Sequence, residues 1–282
     1  MTISEAFESY VFEEIKLQGG ANKTAQNYLA ACRSFINCNG DIPIELITYD
    51  TITRWKMSLS DRGIQNSSIK SNLGALRQVL RYLKKRGHNV LDYRDIELPK
   101  VIRKEATWLE IDELRAILDA TTNIRDKAII ATLFSCGGRV GEVLSLNRDS
   151  ILDGKAQVLG KGGRLNTLRF DKCTLDIIDE YLETRRDRIP ALFISGQCSR
   201  ITVQRVEQIL HVAAGEAGIE KNVTPHVLRH TFATDLRRNG ADLLSVMKQL
   251  NHRSIHTTQI YTHIGKEMAD ESYTQHHTTF NN

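Results

Sequence analysis

The sequence predicts a mainly α-helical protein of two domains, with one small antiparallel β-sheet confined to the second. Three observations carry this. Apolar residues recur at helical spacing through roughly the first hundred positions, the chain breaks at Leu98-Pro99-Lys100, and a single strand, turn and strand pattern stands among the helical segments that follow. A length of 282 residues suits two such units. The expected division is a helical domain over 1–98, a basic linker over 99–105 and a mixed α+β domain over 106–282.

The elements follow in order. Phe7, Val11 and Ile15 recur every four positions and stop at Gly19-Gly20, which predicts an amphipathic helix with a glycine terminator. Tyr28, Cys32 and Phe35-Ile36 repeat the pattern before Asn39-Gly40, and Ile52, Trp55 and Leu59 repeat it before Arg62-Gly63. A fourth helix follows Asn66-Ser67-Ser68. It carries Leu73, Leu76, Leu80 and Leu83 on one face, with Arg77, Arg81, Lys84 and Lys85 largely off it, and ends at Gly87. Residues 93–105 read as extended and increasingly basic. Thr107-Trp108-Leu109-Glu110 then has the Thr-x-x-Glu spacing of a capping box, ahead of Leu114, Ile117 and Leu118. Residues 126–146 give an apolar helix that runs into Cys136-Gly137-Gly138-Arg139 and a second, short helix. Strands are expected at 156–159 and 165–170 around the tight turn Gly160-Lys161-Gly162-Gly163. Helices resume at 175–185, 203–214, 224–239 and 243–250, and the last residues, 275–282, form a polar tail.

Composition excludes several classes. Hydrophobic residues make up 41% and charged residues 26%, with 4 prolines and 18 glycines, the profile of a folded chain and not of a disordered, collagen-like or disulfide-built one. No run approaches the twenty apolar residues of a membrane span, and the acidic start is unlike a targeting signal, so a cytoplasmic protein is expected. The five cysteines, Cys32, Cys38, Cys136, Cys173 and Cys198, are scattered and unpaired in pattern, which argues for reduced thiols. The net charge of +4 is modest but unevenly spread. Residues 1–50 hold 3 Lys/Arg against 7 Asp/Glu, whereas residues 51–88 hold 9 against 1. Arg54, Lys56, Lys70, Arg77, Arg81, Lys84 and Lys85 therefore form a candidate footprint for a polyanion, against the blander reading of a solvated helix face.

Polar residues interrupt the helical pattern where a core does not need them. Arg139 follows two glycines and precedes Glu142 by one helical turn, and alone this reads as a surface ion pair. Lys161 sits in the hairpin turn. His226, Arg229 and His230 fall on one helix after Pro225, with His226 and Arg229 spaced to share a face. Such a face suits a phosphate, because an imidazole moves protons and a guanidinium grips anionic oxygens with two prongs. His252 lies past a break at Asn251, and Tyr261 follows it.

Singly these signals are weak. In order and spacing, Gly-Gly-Arg139-x-x-Glu142, Gly160-Lys161-Gly162, His226-x-x-Arg229-His230, Leu250-Asn251-His252 and Tyr261 resemble the tyrosine recombinase family of site-specific recombinases and integrases, Xer-like enzymes and transposon resolvases included. The likeness covers nearly the whole chain. Thr24-x-x-x-Tyr28 through Phe35, and Ser68-Ile69 through Tyr82-Leu83, are similar to that family's helical core DNA-binding domain. The chain departs from the family's usual pattern in two places, with Gly138 where Leu commonly precedes the arginine and Asn251 where Gly commonly precedes the histidine.

The resemblance implies a core DNA-binding domain and a catalytic domain clamped around duplex DNA. It implies strand cleavage and rejoining through a 3′-phosphotyrosyl intermediate, by four protomers on two sites, with no metal or other cofactor. Tyr261 would be the nucleophile, Arg139 and Arg229 the phosphate-stabilising cations, Lys161 the acid for the departing 5′ oxygen, and His226 and His252 the proton-handling and phosphate-binding imidazoles, with Glu142 and His230 in support. Residues after Tyr261 would dock on a neighbouring subunit through 268–273. Dimer resolution, cointegrate resolution and element integration or excision are the expected roles, alone or with a related recombinase or accessory protein. Two rivals are a catalytically silent DNA-binding regulator on the same scaffold, which should lack a Tyr or Arg of the set, and a metal-dependent nuclease using the His226/His230 or His252/His256 pairs. The nuclease lacks the H-E-x-x-H arrangement.

Overall fold

The computed structural model describes residues 1–101, 106–160 and 163–250, so Lys161, His252, Tyr261 and the segment 268–273 lie outside the described residues. The chain divides into two compact units, Met1–Lys104 and Glu105–Asn282.

In the first unit the apolar stripes named above become the mutual faces of four helices: α1 (Ile3–Tyr10), α2 (Asn22–Asn39), α3 (Tyr49–Asp61) and α4 (Asn66–Lys85). Phe7, Phe35, Trp55, Leu73, Leu76, Leu80 and Leu83 are fully buried between them. Phe35 and Trp55 meet edge to face with centroids 5.2 Å apart, and the Trp55 indole N–H donates to Ser34 Oγ at 3.1 Å, so the largest side chain is buried without an orphaned donor. Thr2 caps α1, its backbone N–H donating to Glu5 Oε2 at 2.9 Å. The first helix differs from expectation in one respect. After Tyr10 it widens into a π-helical turn, Val11–Lys16, with the Leu17 N–H donating to Phe12 O at 2.9 Å and the Gly20 N–H to Ile15 O at 2.7 Å. The wider turn keeps both Val11 and Ile15 buried beside Ala25 of α2.

Along α3 and α4 the predicted cations lie off the core. Arg54, Lys70, Arg81, Lys84 and Lys85 are exposed, and Lys56 and Arg77 half-buried. Acids from outside the 51–88 stretch reach two of its bases: Lys84 pairs with Asp92, which also takes Arg94, and Arg86 pairs with Glu13. Lys84 thus has an acidic partner within its own unit. Among the described residues no ion pair involves Arg54, Lys56, Lys70, Arg77, Arg81 or Lys85.

The second unit is built on α6 (Ile124–Cys136), whose Ala128, Ile129, Ile130, Leu133 and Cys136 are buried against α5 (Ile111–Ala120), α8 (Lys172–Thr184), α9 (Val203–Glu216) and α10 (Pro225–Arg238). A short helix α7 (Val140–Leu144) and the hairpin of β1 (Lys155–Leu159) and β2 (Leu165–Arg169) complete it, with α11 (Leu243–Gln249) behind α10. The hairpin pairs Lys155 with Arg169 and Leu159 with Leu165, and its alternation buries Ala156, Val158, Asn166 and Leu168 on one face. Helix α5 begins later than the Thr107-x-x-Glu110 spacing predicts. Glu110 itself is the cap, its N–H donating to Glu113 Oε2 at 2.7 Å, because the Leu109 N–H is taken instead by the Thr231 hydroxyl of α10 at 2.9 Å.

The irregular stretch after α8 is held by a side chain. The Arg185 guanidinium, 4% exposed, donates to Ala191 O at 3.2 Å and Leu192 O at 2.9 Å and pairs with Asp187. Among the described residues no helix is long and apolar enough to cross a membrane.

Candidate active site

The site grows from the end of α6. Gly137 closes that helix in the left-handed conformation, φ +56°, its N–H donating to Phe134 O at 3.1 Å. A glycine is needed here for space as well as for φ, since a Cβ would stand 2.2 Å from Cδ1 of Phe232 on α10. Gly138 is confined less tightly from the other side, where a Cβ would meet Leu168 Cδ2 of β2 at 2.9 Å. The chain slips between α10 and the hairpin and delivers Arg139 to the start of α7.

Arg139 is anchored at once. Its backbone N–H donates to Glu142 Oε2 at 3.1 Å and its Nη1 to Oε1 at 2.8 Å, with the arginine side chain 36% exposed and the carboxylate 5%. The surface-pair reading of Arg139 and Glu142 therefore holds for one partner only: the guanidinium reaches the surface, and the carboxylate is buried. Glu142 Oε2 also accepts the Asn166 amide N–H at 3.2 Å from β2. Behind the short helix, Arg200 Nη1 donates to Leu144 O at 2.6 Å and Leu146 O at 2.7 Å, so α7 is fixed at both ends.

Helix α10 supplies the second guanidinium. Thr224 caps the helix by accepting the Val227 N–H at 3.3 Å, and Pro225 occupies its first turn. Arg229, 5% exposed, donates from Nη1 to Gly137 O at 2.7 Å and from Nη2 to Leu250 O at 2.5 Å. The two arginines are thus tied to one glycine loop, Arg139 by sequence and Arg229 by hydrogen bond. Leu250 is also the residue two places before His252. His226 on the outer side of α10 is exposed, whereas His230 is half-buried. Burial, and then the nearby positive charges of His226 and Arg229, push the His230 imidazole pKa below its usual value, which favours a neutral ring. Burial also pushes the Cys136 thiol up to about 12, so it is an inert packing group beside the loop.

Of the residues predicted from sequence, Arg139, Glu142 and Arg229 are tied to the Gly137–Arg139 loop by these hydrogen bonds, and His226 and His230 share helix α10 with Arg229. Lys161, His252 and Tyr261 lie outside the described residues. Sequence reasoning missed Asn166, Thr231 and Arg200. Asn166 alone left a trace, as a polar residue at an inward position of a strand.

Residues 107–268 match the family model described as the phage integrase family, and residues 2–95 match the phage integrase SAM-like domain. The chain belongs to the phage integrase family. This recombinase is 30% identical to the tyrosine recombinase XerD of Staphylococcus epidermidis, with 98% of each chain covered, and 34% identical to XerC of Alcanivorax borkumensis, with 83% of this chain and 81% of that one covered. It is a tyrosine-type site-specific recombinase. Among solved structures, XerA recombinase is similar over 99% of both chains at 26% identity, with a TM-score of 0.55. The Tn1549 transposon integrase in complex with circular intermediate DNA covers 95% of this chain and 99% of that one at 15% identity and a TM-score of 0.77, a likeness of fold. The lambda integrase tetramer bound to a Holliday junction covers 93% of this recombinase and 77% of that chain at 19% identity, with a TM-score of 0.76, again a likeness of fold.

Proposed function

We propose that this recombinase cleaves and rejoins duplex DNA with Tyr261 as nucleophile. The phenolate oxygen attacks the scissile phosphorus, the P–O5′ bond breaks, and a 3′-phosphotyrosyl linkage conserves the bond energy; attack by a 5′ hydroxyl of the partner strand reverses the step. Arg139 and Arg229 neutralise the charge that accumulates on the nonbridging oxygens, and Lys161 protonates the departing 5′ oxygen. His226 and His252 handle the phenol proton and hydrogen-bond the phosphate, with Glu142 and His230 in support. No metal, nucleotide or other cofactor enters these steps.

The observation that carries this reading is that two arginines are tied to one loop: Arg139 follows Gly137-Gly138 in the chain, and Arg229 of α10 grips the Gly137 carbonyl. Holding two guanidiniums in register before substrate arrives is what phosphoryl transfer without a metal requires. The bases of α3 and α4, Arg54, Lys56, Lys70, Arg77, Arg81, Lys84 and Lys85, supply backbone contacts to DNA, with Lys84 contributing least because Asp92 pairs with it. Four protomers on two DNA sites, alone or with a related recombinase or accessory protein, carry out dimer resolution, cointegrate resolution or element integration and excision in the cytoplasm. Residues 1–98 serve as the core-binding domain, 99–105 as the linker, and 106–282 as the catalytic domain, with 268–273 docking on a neighbour.

The test is Tyr261→Phe. It should abolish denaturant-resistant protein–DNA adducts while leaving DNA retention in a gel intact. Covalent trapping by that variant overturns the assignment.

A further inference from the structure

One buried polar contact beside Arg139 is used by none of the steps above. Asn166 points into the core face of the hairpin among Ala156, Val158 and Leu168, where it is 7% exposed. An aliphatic side chain would fill such a position without a desolvation penalty, whereas a buried amide is tolerated only when its hydrogen bonds are made. Its Nδ2 donates to Glu142 Oε2 at 3.2 Å, and that same oxygen accepts the Arg139 N–H at 3.1 Å while Oε1 accepts Arg139 Nη1 at 2.8 Å. The carboxylate is therefore held on one side by the amide and on the other by the arginine. Among the described contacts, the amide is the hold on this carboxylate that does not come from Arg139 itself.

We infer that Asn166 is a positioning residue for Arg139. It acts through Glu142, and it links the strand that follows Lys161 to the loop that carries Arg139. The inference rests on the assignment of Arg139 to the phosphate. The charged and titratable groups around the pair are Arg139 and Glu142 on α7, Cys136 at the end of α6, whose thiol is neutral, and Arg229 on α10, which with Glu142 acts on Cys136.

The test uses the full chain and a nicked duplex recovered by covalent capture on the wild-type protein from a randomised DNA pool. Single-turnover rates of covalent attachment are measured against pH, with DNA retention and thermal stability alongside. Asn166→Asp keeps size and shape but sets a second carboxylate against Glu142. At low pH the two share a proton and the O–H replaces the amide donor; at high pH both ionise, repel and release Arg139. Paired carboxylates lose their shared proton at about pH 5, so the rate of Asn166→Asp relative to wild type should fall about tenfold or more between about pH 4.5 and about pH 8.5, since ångström-scale misplacement of a catalytic group costs on the order of a hundredfold. The double variant Asn166→Asp with Glu142→Gln restores one carboxylate and one amide, and its profile should run parallel to wild type. Asn166→Leu should be slow at every pH. A merely structural asparagine would change thermal stability without tilting the profile, so an Asn166→Asp profile parallel to wild type, with Arg139→Ala inactive, overturns the positioning role. Wild-type rates in Arg139→Ala overturn the assignment of Arg139 itself, and the inference with it.

Discussion

Replacing Gly137 by alanine should unsettle the site more than its single methyl group suggests. The residue sits at φ +56°, and the new Cβ would stand 2.2, 2.6 and 2.8 Å from Cδ1, Cε1 and Cγ of Phe232. The left-handed backbone costs about 1 kcal/mol for a residue with a Cβ. Real Cβ contacts do not approach below 3.0 Å, so the ring must move by nearly an ångström. Phe232 has little room to do so, since it packs edge to face on Phe134 at 6.4 Å and against Val246 and Leu250. Overpacking of that kind costs about 1–3 kcal/mol. The sum is about 2–4 kcal/mol, which at about 2–4 °C per kcal/mol for a domain of this size lowers the melting temperature by roughly 5–15 °C. Urea denaturation and thermal melting of the full chain, followed by circular dichroism, measure this. Phe232→Leu in the same chain should relieve the crowding, making the double variant less unstable than the two single changes added together. A Gly137→Ala protein within about 0.5 kcal/mol of wild type, or strict additivity with Phe232→Leu, refutes the packing argument.

Arg77→Ala or Arg81→Ala should each flatten the dependence of log affinity for duplex DNA on log salt by about one unit, measured by titration at several ionic strengths. Lys84→Ala should leave that slope nearly unchanged because Asp92 already pairs with the amine. Near α8, hydrogen bonds from Arg185 hold the Asp187 carboxyl well below the usual carboxylate range, helped by the Ile189 N–H. A depressed carboxyl contributes stability above its unfolded pKa of about 4 and loses it as pH falls through the folded value. Asp187→Asn should therefore be less stable than wild type at neutral pH and converge on it in acid, as acid titrations of unfolding will register.

Much of this architecture is legible in the chain. The four helices of the first unit were marked by apolar residues every three or four positions between glycine stops, a local signal that burial then satisfied. The hairpin was equally plain, because alternation and a glycine-rich turn are local as well. What depends on partners remote in sequence was not. The start of α5 differs from its local spacing because Thr231, on α10, takes the Leu109 N–H and leaves Glu110 to cap the helix. The opposite charges for Lys84 and Arg86 come from Asp92 and Glu13, outside the stretch whose bases looked unpaired. In the site, motif spacing singled out Arg139 and Arg229, but nothing local says that Arg229 is buried and spans the Gly137 and Leu250 carbonyls, or that Asn166 reaches Glu142.

The widened turn at Val11–Lys16 makes the length of the first segment unusually exacting. The segment's beginning is pinned, since the Ile3 N–H donates to Ile42 O at 3.0 Å and Ser4 binds Asp41 through both its N–H and its hydroxyl. Its far end is pinned by Val11 and Ile15 against Ala25. Deleting one residue between Ser4 and Tyr10 would rotate one end against the other by about 100°, because the widened turn already takes up the one residue of slack that the segment has. Phe7 would then face water or the anchors would tear loose, so changes in length should be borne by the exposed connection at 18–21 before they are borne here.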